Sequence, residues 1–338
     1  MALLLGLLSS VLWGTADYVG GRLSRVRSAY SVIFVAQTAA LCGTVVLLLA
    51  DLAARAAAGD GPAWNSAALA WGALAGLAGA VALGAFYRAL AIGQMGLVAP
   101  VASTSVALPV VVGVAQGQTP PPLQFAGLVT AGLGACLAVA PELRPAPGAG
   151  VSAARSIGLA LLAAAGFGVI LIAIAQGSRS SVPQTLLGQR AAYVAAVGAI
   201  LLLRARARGR TRGGARARDG ARTRGGARTS DRARTPDRAR TPDRARTPGR
   251  APARTRSPGW GRRHLATAAA VGLADMAANL LYAYATHTDL LPVVSVLSSL
   301  YPVATVLLAR RLDHERLRPP QLAGITVTFL GVTFIAAG

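Results

Sequence analysis

The chain contains no lysine, only two cysteines, three histidines and 12 acidic residues in 338. Each shortage excludes something. Cys42 and Cys136 both sit in apolar runs with no Cys or His at metal-ligand spacing, so neither a disulfide framework nor a zinc site is expected; they read as packed thiols. His264, His287 and His314 are scattered, and no HExxH, CxxC or GxSxG motif occurs. An enzyme is therefore not expected, and neither a cofactor nor a metal. Strict alternation of apolar and polar residues is also missing, which excludes a membrane β-barrel.

Charge is scarce over most of the length. The runs 28–50, 61–87, 89–141, 156–178, 290–309 and 319–338 hold no charged residue. A hydrocarbon core about 30 Å thick needs roughly 20 apolar residues as helix. Several runs suffice for one crossing and 89–141 for two. Inside lipid each backbone polar group must be satisfied within its own segment, so the crossings are helices. The first segment lacks a basic start and stays apolar to Gly21, which reads as a transmembrane helix and not a cleaved leader.

What charge there is concentrates in 204–263, with 21 of the 34 basic residues against 4 of the 12 acids (21 − 4 = 17 of the net +22). The pI of 11.7 thus describes one segment. Within it Asp231–Pro236, Asp237–Pro242 and Asp243–Pro248 each read Asp-Arg-Ala-Arg-Thr-Pro. With little to bury and a proline in every period, 204–263 is expected to be a disordered Arg-rich loop. An anionic partner, lipid headgroup or nucleic acid, is what its charge would attract, but a drifting low-complexity insert with no dedicated partner is the favoured reading.

Ten helices are expected, at about 2–21, 29–50, 65–88, 96–116, 122–140, 156–176, 182–203, 265–286, 289–309 and 320–337. The second five repeat the first. Trp13-Gly14 matches Phe167-Gly168, and Ser24-Arg25 matches Ser178-Arg179, at one offset (167 − 13 = 154). Beyond the basic segment, Gly76-Leu77-Ala78 matches Gly272-Leu273-Ala274 at a larger one (272 − 76 = 196). Two five-helix repeats, 1–141 and 156–338, follow, joined by a linker at 142–155, the second interrupted by the basic segment. Five is odd, so the repeats cross in opposite senses. Inverted repeats of this kind are common in secondary transporters, whose sites lie near the midplane between the halves.

Particular residues carry a further likeness. Leu12-Trp13-Gly14 with Asp17-Tyr18-Val19-Gly20-Gly21, Tyr87-Arg88-Ala89-Leu90, Ser298-Ser299-Leu300-Tyr301-Pro302-Val303, and the turn Glu315-Arg316-Leu317 stand in an order that resembles the EamA-domain family of the drug/metabolite transporter superfamily. The resemblance covers 1–203 and 264–338. It implies an all-α integral membrane protein of ten helices in two inverted repeats, exporting or exchanging amino acids, metabolites or drugs. One departure stands out: where the second half has Glu315, the first has Gln118.

Candidate site residues are the polar groups inside the crossings, because an ionised side chain at the midplane costs at least ~2.5–3.5 kcal/mol. Asp275 leads. It falls halfway along the eighth helix, with Asn279 and Tyr282 at i+4 and i+7 on one face. It is also the candidate for proton coupling, trading a proton for substrate. Trp13 and Asp17 share a face of the first helix; Asp17 gates the site or pairs with Arg22 and Arg25 at the interface. Arg190 interrupts the seventh helix and either is buried, neutralising Asp275 or binding an anionic group, or snorkels outward. Gln37 is its counterpart in the second helix. Ser295, Ser298 and Ser299 line one face of the ninth helix, and Ser103 and Thr104 lie in the matching region of the fourth; such small hydroxyls serve a site or close packing.

The expected function is secondary active transport of a small molecule by alternating access, an exporter of the plasma membrane. A membrane adaptor recruiting anionic lipid or nucleic acid through the Arg-rich segment is the alternative, as is a lipid-linked substrate flippase. Loops after odd helices hold about ten arginines against about three after even ones, which places the Arg-rich segment in the cytoplasm.

Overall fold

The computed structural model describes residues 1–61, 63–92, 104–139, 151–225, 260–288, 290–312 and 319–337, and among them every regular element is a helix. The first half contains α1 (Ala2–Val26), α2 (Ala29–Ala57), α3 (Ser66–Ile92), a 3-10 turn (Thr104–Val106), α4 (Ala107–Ala115) and α5 (Pro122–Val139). The second contains α6 (Val151–Ser178), α7 (Val182–Gly225), α8 (Arg262–Thr288), α9 (Leu291–Ser298), α10 (Tyr301–Leu312) and α11 (Pro319–Ala337). Six helices among the described residues, α1, α2, α3, α6, α7 and α8, are long and apolar enough to cross a bilayer. The other four expected crossings are helical over most of their described parts.

The chain divides into two compact units, Met1–Gly198 with Arg263–Gly338, and Ala199–Arg262. The first carries many of its large apolar side chains outward. Leu4, Val46, Leu77, Leu133 and Phe329 are all more than half exposed. Inside stand alanines such as Ala40, Ala75, Ala163 and Ala283, with no exposed surface. That inversion suits a protein solvated by lipid, where small residues bring backbones together and hydrocarbon takes the large side chains. In the second unit the helix begun at Val182 continues to Gly225, which corrects the expectation of a disordered loop over 204–225. Ala and Arg alternate there, both are strong helix formers, and the first proline comes only at Pro236. The Asp-Arg-Ala-Arg-Thr-Pro repeats and Glu315-Arg316-Leu317 lie outside the described residues. So do Ser103 and most of the expected linker, whose last residues, from Val151, belong to α6.

The expected ninth helix is two. α9 ends at Ser298, the chain turns through Ser299 and Leu300, and α10 begins at Tyr301. Pro302 has no N–H to donate to the Ser298 carbonyl. The turn closes instead through Leu300 N to Leu297 O (3.4 Å) and Val303 N to Leu300 O (2.9 Å).

Close helix contacts occur in matched pairs. A Cβ on Gly14 would fall 2.6 Å from the Tyr301 carbonyl oxygen, and one on Gly168 would fall 2.7 Å from that of Ser105. Gly76 packs directly on the backbone of Gln189, and Gly272 on that of Ala36. The paired positions are spaced at, or within one residue of, the offsets of the recurring motifs (168 − 14 = 154; 301 − 105 = 196; 189 − 36 = 153). α5 and α11 run antiparallel, since Gly127 meets Gly331 and Ile335 while Gly134 meets Gly324 and Thr328. α1 and α8 are antiparallel too, with Gly6 and Gly14 of α1 lying parallel to Leu297 and Tyr301.

Gln118, the departure noted above, has a definite place. Its Oε1 accepts the backbone N–H of Leu291 at 2.8 Å, so a side chain from the first half caps the first turn of α9. Gln118→Leu leaves that N–H without its acceptor and is expected to cost about 1 kcal/mol, read as a lowered thermal midpoint of the purified protein; an unchanged midpoint would show the cap to be idle.

Candidate functional site

Asp275 sits mid-way along α8 with its side chain about a quarter exposed (24%), against 2% for the Arg190 side chain behind it. Arg190 Nη1 donates to Asp275 Oδ2 at 2.5 Å and to Gln37 Oε1 at 2.6 Å, while Nη2 reaches the Asp275 carbonyl at 3.3 Å. The guanidinium therefore turns inward, and snorkelling is ruled out by its burial. A cation held among apolar helices is tolerable only when paired and hydrogen-bonded.

The carboxylate collects three further donors. Trp13 Nε1 reaches Oδ1 at 3.1 Å, Gln37 Nε2 reaches Oδ2 at 3.1 Å and Asn279 Nδ2 reaches Oδ1 at 3.2 Å. Helices α1, α2, α7 and α8 thus converge on one carboxyl, which lies in an apolar span and has a hydrogen bond from each of them or from its own helix. Gln37 of α2 and Arg190 of α7 touch each other here.

Tyr282 extends the group. Fully buried, it donates to the Leu171 carbonyl at 3.1 Å, and Ser295 Oγ lies 3.0 Å from its hydroxyl. Its ring stands 6.0 Å from that of Trp13 at 39°, a tilted aromatic contact that adds to area burial. Asp17, one turn on from Trp13, has an exposed side chain. α1 runs on to Val26, so Asp17 lies deeper than a helix ending at Gly21 implies, and Arg22 Nη1 donates to Tyr18 Oη at 3.1 Å.

The remaining candidates stand apart. Ser298 Oγ bonds the Gly6 carbonyl at 3.4 Å and Ser299 Oγ the Val296 carbonyl of its own helix at 2.9 Å, contacts that serve helix packing. Thr104 opens the 3-10 turn with an exposed side chain. Two residues were missed. Gln189 is buried and its Nε2 donates to Asn279 Oδ1 at 3.3 Å; a second polar residue beside Arg190 in an apolar run was the available signal. Ser9 Oγ bonds the Ala278 carbonyl at 2.9 Å and ties α1 to α8, and a lone serine gives no such signal.

Residues 250–337 match the EamA-like transporter family. A solved structure described only as the crystal structure of a protein superposes with a TM-score of 0.61 at 15% sequence identity, over 99% of this chain and 97% of that one. At that identity the likeness speaks for the fold alone. Comparison with curated proteins gives no match.

Proposed function

We propose that this chain, a multi-pass membrane protein whose residues 250–337 belong to the EamA-like transporter family, is a secondary transporter that moves a small organic solute out of the cell by alternating access. The observation that carries the reading is the convergence of α1, α2, α7 and α8 on the partly exposed carboxylate of Asp275. An anchor has no use for an acid in mid-helix, and the cost of keeping one there argues for a task.

The architecture that supports this reading is a pair of inverted five-helix repeats. The matched glycine contacts favour it, as do the helix directions, and the Gln37–Arg190 contact falls where a two-fold relation between the halves would put equivalent residues together. In such a frame rocking of one half against the other exposes the central acid to each side in turn. Asp275 and Arg190 would hold each other while no solute is bound. A solute, or a proton delivered to Asp275, would break that pair and so link binding to the rocking motion. Asn279, Gln37, Trp13 and Tyr282 would position the solute's polar end, with Asp17 at the approach.

Reconstitution in liposomes tests this directly. A screen of amino acids, nucleobases and cationic drugs should find a transported class, and Asp275→Asn should reduce its pH-gradient-driven flux by about a hundredfold, the rate equivalent of one lost charged contact of ~3 kcal/mol. Full flux in that variant would remove Asp275 from the role. Deleting 205–262 should leave transport intact, whereas an adaptor working through the Arg-rich segment would lose its purpose. A cysteine placed in that segment and labelled from outside intact cells would overturn the cytoplasmic assignment.

A further inference from the structure

The ends of three helices enclose a groove away from Asp275. α1 and α10 run parallel, with Gly14 on Tyr301 and Ala304, and α8 runs against them. The end of α1 meets the start of α8 where Arg27 Nη2 lies 3.4 Å from His264 Nδ1. The groove between the three has a volume of about 380 Å³ and is lined mainly by apolar side chains. Leu23 and Val26 of α1 line it with Leu312 of α10 and Thr267 of α8. Val26 and Leu312 are 65% and 54% exposed. Thr267 gives its hydroxyl proton to the Arg263 carbonyl at 2.9 Å, so its one donor is already used.

One charged group enters this trough. Arg22 is exposed and lies near the end of the apolar span Ala2–Ser24, the depth at which a headgroup meets hydrocarbon. Tyr18 steadies it from the deeper side. Arg22 Nη1 donates to Tyr18 Oη at 3.1 Å, and the guanidinium carbon stands 5.9 Å from the ring centre. A guanidinium has five N–H donors in a planar fork and takes several acceptors at once, phosphate oxygens among them.

Charge around the trough has one sign. The three helix ends carry Arg22, Arg25 and Arg27, then Arg263, then Arg310 and Arg311. Asp17, Asp313 and Glu315 are the acids nearest to them in sequence, and pairing every one still leaves an excess of three (6 − 3 = 3). A soluble anion would gain the charge without the trough, and a zwitterionic lipid the trough without the charge. Basic pockets between membrane helices suit lipids that satisfy both.

We infer that the groove of α1, α8 and α10 seats one anionic phospholipid, its phosphate on Arg22 and an acyl chain along Leu23, Val26 and Leu312. The inference is independent of the transported solute and of the Arg-rich segment.

Native mass spectrometry of the full chain, titrated in mixed micelles with phosphatidylglycerol or with phosphatidylcholine of the same chain length, tests it. One phosphatidylglycerol should be held at least about fivefold more tightly, the contribution of a single arginine beside an anionic headgroup. Arg22→Gln should remove that preference and Arg22→Lys should keep most of it. Val26→Trp, which fills the trough from an exposed position without altering charge, should weaken both lipids. Arg216→Gln, in the Arg-rich segment, should change neither. Equal retention of the two lipids by the unaltered protein overturns the inference. So does an Arg216→Gln effect as large as that of Arg22→Gln, which would mark a diffuse attraction. Normal binding by Val26→Trp, or displacement of the lipid by soluble glycerol phosphate, would leave the acyl chain without its role and overturn it too.

Discussion

Arg190→Met alone is expected to destabilise the protein by about 3–5 kcal/mol, and Arg190→Met combined with Asp275→Leu to recover about half of that loss. The single change leaves Asp275 ionised in an apolar span with only neutral donors. Its partner contributes the shortest contact in the group and also fixes Gln37. Removing both charges ends the desolvation cost. Recovery stays incomplete because Trp13 and Gln37 then lack an acceptor, at about 1 kcal/mol each, while Asn279 keeps the Asp275 backbone carbonyl. Unfolding of the purified proteins in mixed micelles measures all three stabilities. If single and double variants agree within about 0.5 kcal/mol, the two residues are not energetically coupled and the ion pair is incidental.

Gly272→Val and Gly76→Val are expected to cost about 3 kcal/mol each, the upper end of overpacking penalties. In both places the added Cβ meets backbone, that of Ala36 and of Gln189, which cannot rotate away. The helices must separate, and separation at Gly272 also loosens the approach of α2 to α8 on which the Gln37–Asp275 bond depends. Gly21→Ala is the control. Nothing lies within 4 Å of its added methyl group, and Ala in a helix interior is favoured over Gly by about 0.5–1 kcal/mol. Thermal midpoints that fall alike for the two valine variants and rise for Gly21→Ala fit matched helix crossings. A tolerated valine at Gly272 with a damaging one at Gly76 would break the correspondence between halves.

Much of this was legible before any coordinates, for a physical reason. Lipid removes the alternatives to helix, so long uncharged runs announce α2, α3 and α6 without help from neighbours. Asp275, Asn279 and Tyr282 were readable as one face because α-helical spacing is local. Helix ends were less legible. Arginine-containing turns past the apolar core stay helical, as α1 does to Val26 and α7 does to Gly225. The break at Ser299 needed the one missing N–H of Pro302 to be weighed against an otherwise continuous apolar run.

The order of the helices and the polar positions within them are properties of the linear chain, since hydropathy and period need no partner. Which polar groups meet is not. That Arg190 turns inward to Asp275, that Gln37 touches Arg190, and that Gln118 caps α9 all depend on helices brought close by glycine and alanine. Those contacts join residues far apart in sequence, and only packing in three dimensions selects among the partners that a row of amphipathic faces allows.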